Sequence, residues 1–335
     1  MAKKFSGWDR IKLTDQNGEH VDAIAPIILS ASRSTDLPAF YAPWFANRLE
    51  QGYCVWLNPF NQKPQYVSFS KARVIVFWSK NPAPLIPYLD AVDARIPQYY
   101  FQFTVNDYDQ EGLEPNVPRL ERRIETFKRL ADRVGPDRVI WRFDPLLLTP
   151  KTPLDVLLEK VRKVGEQLHD HTRRLVFSFA DIAGYRKVQN NLNRCDVAWE
   201  DFTAEAMETF AREVQAMNRS WGLELATCGE AVDLSPWGVE HGRCIDDRLM
   251  IRLFPEDKRL MAFLGARPAL FGKMEWEYMK DKGQRKECGC IVSKDIGMYN
   301  TCPHLCRYCY ANTSESVVLK NAKQHVVSQE SIVSV

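Results

Sequence analysis

Residues 98–144, QYYFQFTVNDYDQEGLEPNVPRLERRIETFKRLADRVGPDRVIWRFD, carry the pattern that decides the fold. The stretch opens on an apolar, aromatic-rich run from Gln98 to Val105 and closes on a second from Arg138 to Asp144, both of the length and composition of buried strands. Between them Leu120, Ile124, Phe127, Leu130 and Ala131 recur at helical spacing. Pro118 stands at an early helical position and Gly135-Pro136 ends the segment. Strand, helix and strand in that order form a parallel β/α unit.

The same alternation extends outward on both sides. Further strands are expected at Ala25–Ser32, Tyr53–Asn58, Arg73–Lys80, Arg174–Asp181 and Leu223–Glu230. One further helix starts at Thr152-Pro153 and carries Leu154, Leu157, Leu158, Val161, Val164 and Leu168. Another begins near Thr203 with Met207, Phe210, Ala211, Val214 and Met217 in register. The strands are apolar on both faces, as in sheets covered on two sides. Seven such units in roughly 210 residues predict an α/β chain folded as a full or partial (β/α) barrel of the TIM type. No Gly-rich phosphate loop follows the first strand, which disfavours a dinucleotide fold.

Residues 1–254 are expected to form the barrel. After Phe254 the composition shifts: residues 255–335 read as a charged connector, with the solvated basic run Lys280–Lys286, followed by a cysteine-rich segment closing the barrel mouth and a tail that frays after Asn321.

The 335 residues are 45% hydrophobic and 26% charged, with a net charge of +2. That composition belongs to a globular chain and implies no bulk nucleic-acid binding. The N-terminus lacks the apolar core of a signal peptide, and no stretch approaches the roughly 20 apolar residues of a membrane span. A cytoplasmic protein is therefore expected. In that compartment nine cysteines, odd in number and clustered, point to metal or catalysis rather than to disulfides.

Cys302, Cys306 and Cys309 form a C-x3-C-x2-C loop, Cys302-Pro303-His304-Leu305-Cys306-Arg307-Tyr308-Cys309-Tyr310. Three soft thiolates from one loop can hold three corners of a [4Fe-4S] cluster and leave the fourth iron open to a chelating molecule. A structural zinc knot with His304 as a further ligand is the bland alternative, although zinc ligands usually come as two separated pairs. The spacing, with an aromatic residue before the last cysteine, resembles the motif of radical S-adenosylmethionine enzymes. That resemblance implies a [4Fe-4S] cluster on the three cysteines, S-adenosylmethionine on the open iron, Tyr308 near its adenine, and a one-electron donor such as a flavodoxin or ferredoxin. The loop differs from the ordinary motif in following the last recognisable strand instead of the first.

Over its length the chain resembles the DUF1848 family of uncharacterised bacterial proteins. The stretches that carry this are Ser30–Tyr41, Phe77–Pro82, Trp141–Pro145, Thr227–Glu230, Cys288–Cys290 and Asp295–Cys302. The resemblance implies a barrel with a C-terminal cluster motif and supplies no reaction.

Four other cysteines, Cys228, Cys244, Cys288 and Cys290, make the full ligand set of a second site, either an auxiliary [4Fe-4S] cluster or zinc. Buried inert thiols at Cys228 and Cys244 are the alternative. Cys54 and Cys195 read as structural or incidental. Arg33, Lys80, Arg142, Asp144, Asp181 and Glu230 stand at or just beyond C-terminal strand ends, where barrel enzymes place catalytic groups. Glu230 is also suited to accept a cofactor amino group, and the arginines to bind a carboxylate or phosphate. The bland reading of Arg142 and Asp144 is a mutual salt bridge. The reaction expected is cleavage of S-adenosylmethionine on a small unknown substrate. The alternatives are a non-catalytic iron-sulfur or zinc protein, or non-radical transfer of a group from the same cofactor.

Overall fold

A computed structural model describes residues 5–269 and 274–334. Its centre is one parallel sheet of eight strands: β1 (Ile28–Ala31), β2 (Val74–Ser79), β3 (Tyr99–Thr104), β4 (Val139–Leu146), β5 (Arg174–Phe179), β6 (Glu224–Thr227), β7 (Val239–His241) and β8 (Lys294–Asp295). β1 to β7 lie side by side in chain order, and β8 adds to the outer edge of β1. The fold is thus α/β with a large parallel sheet. Among the described residues no pairing joins β7 to β8, so the sheet has two open edges.

Three helices fulfil their sequence patterns. Leu120–Val134 buries all five residues of its predicted stripe and ends at Gly135. Leu154–Leu168 follows Pro153, and Ala204–Trp221 is capped by Thr203, whose hydroxyl accepts from the Ala206 N–H at 3.2 Å. They pack on one face of the sheet, over Phe101, Phe103, Trp141, Phe143, Leu175 and Phe177. Where the second and third helices meet, Gly165 admits the Trp221 ring, and a Cβ there would lie 2.4 Å from it. Gly165→Ala should therefore overpack the contact and cost about 1–3 kcal/mol. A lower urea midpoint at unchanged m value checks this.

Side chains alternate along a strand, so the other face carries a different set. Ile28, Val74, Val76, Tyr100, Ile140, Val176 and Ala226 form a second core with Ile245, Leu249, Met250, Leu260 and Ile291. Chain segments beyond residue 244, including helices Asp247–Leu253 and Lys258–Leu264, thus cover this face.

Three expectations change. Tyr53–Leu57 is a strand, but it pairs antiparallel with Pro64–Ser68 in a separate four-stranded sheet. Its connection is a short turn, which permits only a hairpin, whereas a parallel neighbour needs a crossover of a dozen or more residues. That small sheet also holds the hairpin Asp9–Thr14 and His20–Ala25, absent from the sequence reading. Asn17-Gly18 is its signal: Gly18 has φ +82°, and the Asp15 carboxylate accepts the Asn17 and Glu19 N–H groups at 2.9 Å. The tail after Asn321 does not fray. It continues helix Glu315–Gln324 and then crosses the small sheet, where the Glu330 carbonyl accepts the Val55 N–H, the Gln329 carbonyl accepts the Trp44 indole, and Ile332 is buried.

Candidate functional site

The C-terminal strand ends meet two groups of cysteines with a band of charges between them. In the first group, Cys302, Cys306 and Cys309 sit in a loop that packs onto the helix-covered core through Cys306 and Tyr308. Burial pushes the Cys302 thiol up to about 12 and Asp36 adds to this, while the N–H groups of His304 and Asp36 point at its sulfur and pull the other way. Burial likewise raises Cys309, opposed by the Ala311 and Asn312 N–H groups, the first at 3.3 Å from Sγ. Cys306 is raised well above its ordinary value by burial, with the Lys80 ammonium as its main counterweight. Cys302 feels the charge of Cys309, and Cys306 that of both Cys302 and Cys309.

Lys80 follows β2 and is held by Glu114, whose Oε1 lies 2.8 Å from Nζ. Glu114 also accepts from the Tyr308 hydroxyl and, at 3.1 Å, from Asn106 Nδ2, with Arg123 Nη1 3.6 Å away. Burial opposes its charge, but Lys80 and Arg123 outweigh that and hold the carboxyl at about 2. The Tyr308 ring thus lies under Lys80 with its hydroxyl engaged.

His304 spends both ring nitrogens inside the protein, Nε2 on Asp36 Oδ2 at 2.8 Å and Nδ1 facing the Asn116 carbonyl at 3.2 Å. Asp36 in turn accepts from the Ser79 hydroxyl, the Lys80 N–H and the Ala39 N–H. One carboxylate therefore ties β2 to the cysteine loop.

On the other face, Arg142 is buried midway along β4 and donates to Gln102 Oε1 at 3.1 Å, to Cys244 Sγ at 3.0 Å and to Asp144 through Nε at 3.0 Å. Asp144 also accepts from the Ser178 hydroxyl. Burial disfavours both charges, yet their pairing raises Arg142 and lowers Asp144. The mutual salt bridge is present.

The second cysteine group adjoins this pair. Cys228 and Cys244 have their sulfurs 3.2 Å apart, the Cys290 sulfur accepts the Cys244 N–H at 3.3 Å, and Cys288 stands two residues before Cys290. Cys288 is lowered by its interaction with Cys290 against the effect of burial, while contact with Cys244 and burial raise Cys228. Arg33 stands close by, with its main-chain N–H on Asp295 at 2.8 Å, Nη2 on Ser293 at 3.1 Å, and Nη1 buried without a partner. Two more buried polar atoms without partners, Thr35 Oγ1 and Asn312 Oδ1, flank the first cysteine group. The Asn312 amide donates to the Cys302 carbonyl at 2.9 Å.

Glu230 follows β6 and accepts the Phe179 N–H at 3.0 Å. Burial raises its carboxyl to about 7, with Phe179 and Arg285 opposing and Asp144 and Asp181 adding to the shift. Asp181 itself is exposed and closes a turn onto the Gly184 N–H at 3.0 Å. Because Glu230 binds its proton more tightly folded than unfolded, its contribution is full below about pH 4.5 and disappears as pH rises through 7. Glu230→Gln should flatten the fall in stability across that window, a difference of a few kcal/mol at most. Urea midpoints at pH 5 and 7.5 for both proteins measure it.

The structure therefore brings Lys80 to the first cysteine group, Arg142, Asp144 and Arg33 to the second, and Glu230 between them and Arg285. It leaves Asp181 on the surface. Sequence reading missed Asp36, Asn106 and Glu114. Asp36 before Leu37-Pro38 has the form of a helix cap, which it also is, and Asn106 and Glu114 lie in a loop whose burial no local pattern reveals.

The residues fit a thiolate-bound cofactor in chemistry: three half-buried cysteines in one loop, a backbone N–H on the Cys309 sulfur, and uncommitted polar atoms beside them. Such N–H groups stabilise and tune metal-bound sulfur, and a cation supplies the charge stabilisation that burial withholds. As the side chains stand, no set of three or more His, Cys, Asp or Glu among the described residues is arranged to hold a metal ion. Among them, too, no helix is long and apolar enough to cross a membrane. No curated protein and no solved structure matches the chain. A family profile described as a domain of unknown function does match, over residues 28–311, and by that match the chain belongs to the DUF1848 family.

Proposed function

We propose that the protein is a radical S-adenosylmethionine-like iron-sulfur enzyme of the cytoplasm, with Cys302, Cys306 and Cys309 as ligands of a [4Fe-4S] cluster. The observation that carries this reading is the half-buried three-thiol loop, packed against the core of a parallel sheet through Cys306 and Tyr308, with the Ala311 N–H 3.3 Å from the Cys309 sulfur. When bound, the cluster and S-adenosylmethionine would supply a one-electron reductive cleavage, fed by a donor such as a flavodoxin or ferredoxin.

The chain's own groups have definable tasks in this reading. Lys80 offsets thiolate charge at Cys306, and Glu114 fixes both Lys80 and the Tyr308 hydroxyl. Asp36 anchors the loop through His304. The free atoms Thr35 Oγ1, Asn312 Oδ1 and Arg33 Nη1 offer donors and acceptors to the polar end of a cofactor or substrate. Glu230, held near neutrality, can exchange a proton at physiological pH. The chain-order parallel sheet also suits a partial (β/α) barrel, in which the cysteine segment closes the mouth.

The test is anaerobic reconstitution followed by reduction and incubation with S-adenosylmethionine. Release of 5′-deoxyadenosine and methionine is the expected result. Transfer of an aminocarboxypropyl or methyl group would instead yield a different sulfur product. A loaded cluster that neither binds nor cleaves S-adenosylmethionine would sink the enzyme reading and leave a non-catalytic iron-sulfur protein.

A further inference from the structure

The second cysteine group has chemistry of its own. Cys228 ends the β6 segment, Cys244 follows β7, and Cys288 and Cys290 come from the segment that covers the sheet, so three separate parts of the chain deliver four thiols to one place. Cys228 and Cys244 have their sulfurs 3.2 Å apart, the Cys290 sulfur accepts the Cys244 N–H at 3.3 Å, and Cys288 lies close enough to feel the charge of both Cys228 and Cys244. Cys244, Cys288 and Cys290 are buried, at 6%, 9% and 2% exposure. Isolated core cysteines satisfy themselves by packing and need no such company.

The surroundings are those of a thiolate set. The Cys290 sulfur accepts two backbone N–H groups, from Cys244 at 3.3 Å and Ile245 at 3.4 Å. The Cys244 sulfur accepts Arg142 Nη1 at 3.0 Å. Arg33 and Arg285 contribute further positive charge, Arg33 toward Cys290 and Cys244, Arg285 toward Cys228 and Cys288. A divalent ion on four thiolates carries a net charge of −2, which cations and N–H donors of this kind offset.

Spacing chooses the metal. Zinc–sulfur bonds of about 2.3 Å place tetrahedral sulfurs about 3.8 Å apart, nearer the 3.2 Å of the Cys228–Cys244 pair than the much wider separation of cysteine sulfurs on a cubane cluster. We infer that Cys228, Cys244, Cys288 and Cys290 form a structural site for a single tetrahedral divalent ion of the zinc type, separate from the three-cysteine loop. Small side-chain rotations would turn the thiols from one another toward a common centre, and their protons would pass to solvent on binding. The site would pin the covering segment to the ends of β6 and β7. This inference stands apart from the proposed reaction.

The experiment uses the full-length chain with Cys306→Ala, which removes the three-cysteine loop from consideration. Purified without oxygen, it should retain about one zinc per chain. Stripped and titrated with cobalt(II), it should show the intense visible bands of tetrahedral thiolate coordination. Adding Cys290→Ser should abolish both signals. Arg142→Gln in the same background should weaken cobalt binding about 10- to 100-fold. Should the serine variant unfold, the titration of the Cys306→Ala protein stands without it. No zinc and no cobalt bands would overturn the inference. So would iron retained in place of zinc, or a Cys228–Cys244 disulfide found by mass spectrometry of the anaerobic protein. None of these outcomes depends on S-adenosylmethionine, so the two proposals fail separately.

Discussion

Cys306→Ala, reconstituted and reduced beside the wild type, yields no 5′-deoxyadenosine above background and loses the iron assigned to the loop. Removing one of three protein ligands leaves two, too few to hold a cubane that already lacks a protein ligand at its fourth iron. Cys306 also stands where Lys80 exerts its charge, so its loss leaves that ammonium with Glu114 as its main partner. Cys195→Ala is the matched control. Cys195 accepts Arg307 Nη1 at 2.8 Å near the same loop, yet it is separate from the three-cysteine set. It should retain both iron and product. Loss of activity in both variants would assign the effect to general disturbance of the loop and remove the special role of Cys306.

Glu114→Ala should be the most destabilising single change, at about 3–5 kcal/mol. The Glu114 and Arg123 side chains are both 0% exposed and Lys80 is 16% exposed, so deletion takes Lys80's carboxylate partner from the interior and leaves Arg123 with Asp109 alone, at 2.8 Å. Removing one partner of a buried pair costs far more than the pair itself contributes. The exposed ion pairs of Arg162 with Glu159 and Glu166 give the contrast, since such surface pairs contribute about 0–1 kcal/mol. Glu159→Ala should accordingly leave the urea midpoint almost unmoved. Because the Glu114 carboxyl is depressed to about 2, its stabilisation is present above the ordinary carboxylate range and is lost only as pH falls toward 2. An unfolding curve for Glu114→Ala that overlays the wild type at pH 7 would disprove the buried-cluster account.

The three long helices were legible because their burial is periodic. Leu120, Ile124, Phe127, Leu130 and Ala131 repeat at helical spacing and all point into the core. Six of the seven expected strands lie in the parallel sheet because short β-branched and aromatic runs between helices have few other ways to be buried. Tyr53–Leu57 has the same composition but a different partner, and only the brevity of its connection reveals that. The three-cysteine loop showed by its spacing, whereas Cys228, Cys244, Cys288 and Cys290 are scattered in sequence and only their number suggested a set. Asp36 and Glu114 did not show, because a carboxylate in a loop looks solvated until the fold brings a lysine, a histidine and a tyrosine onto it. Lys294–Asp295 was invisible for a related reason: a strand of two residues has no period.

β8 pairs with β1, and Ser30 meets Asp295 across 265 residues of chain at 2.7 Å. A nascent polypeptide emerges from the ribosome with β1 ahead of β8 and all the other strands of the sheet between them. The sheet's outer edge therefore stays uncovered until every other strand of the sheet has been made. The three-thiol loop comes later still and closes onto elements that have long since left the exit tunnel. On the proposed reading, whatever loads these thiols must act after all eight strands of the sheet have been made.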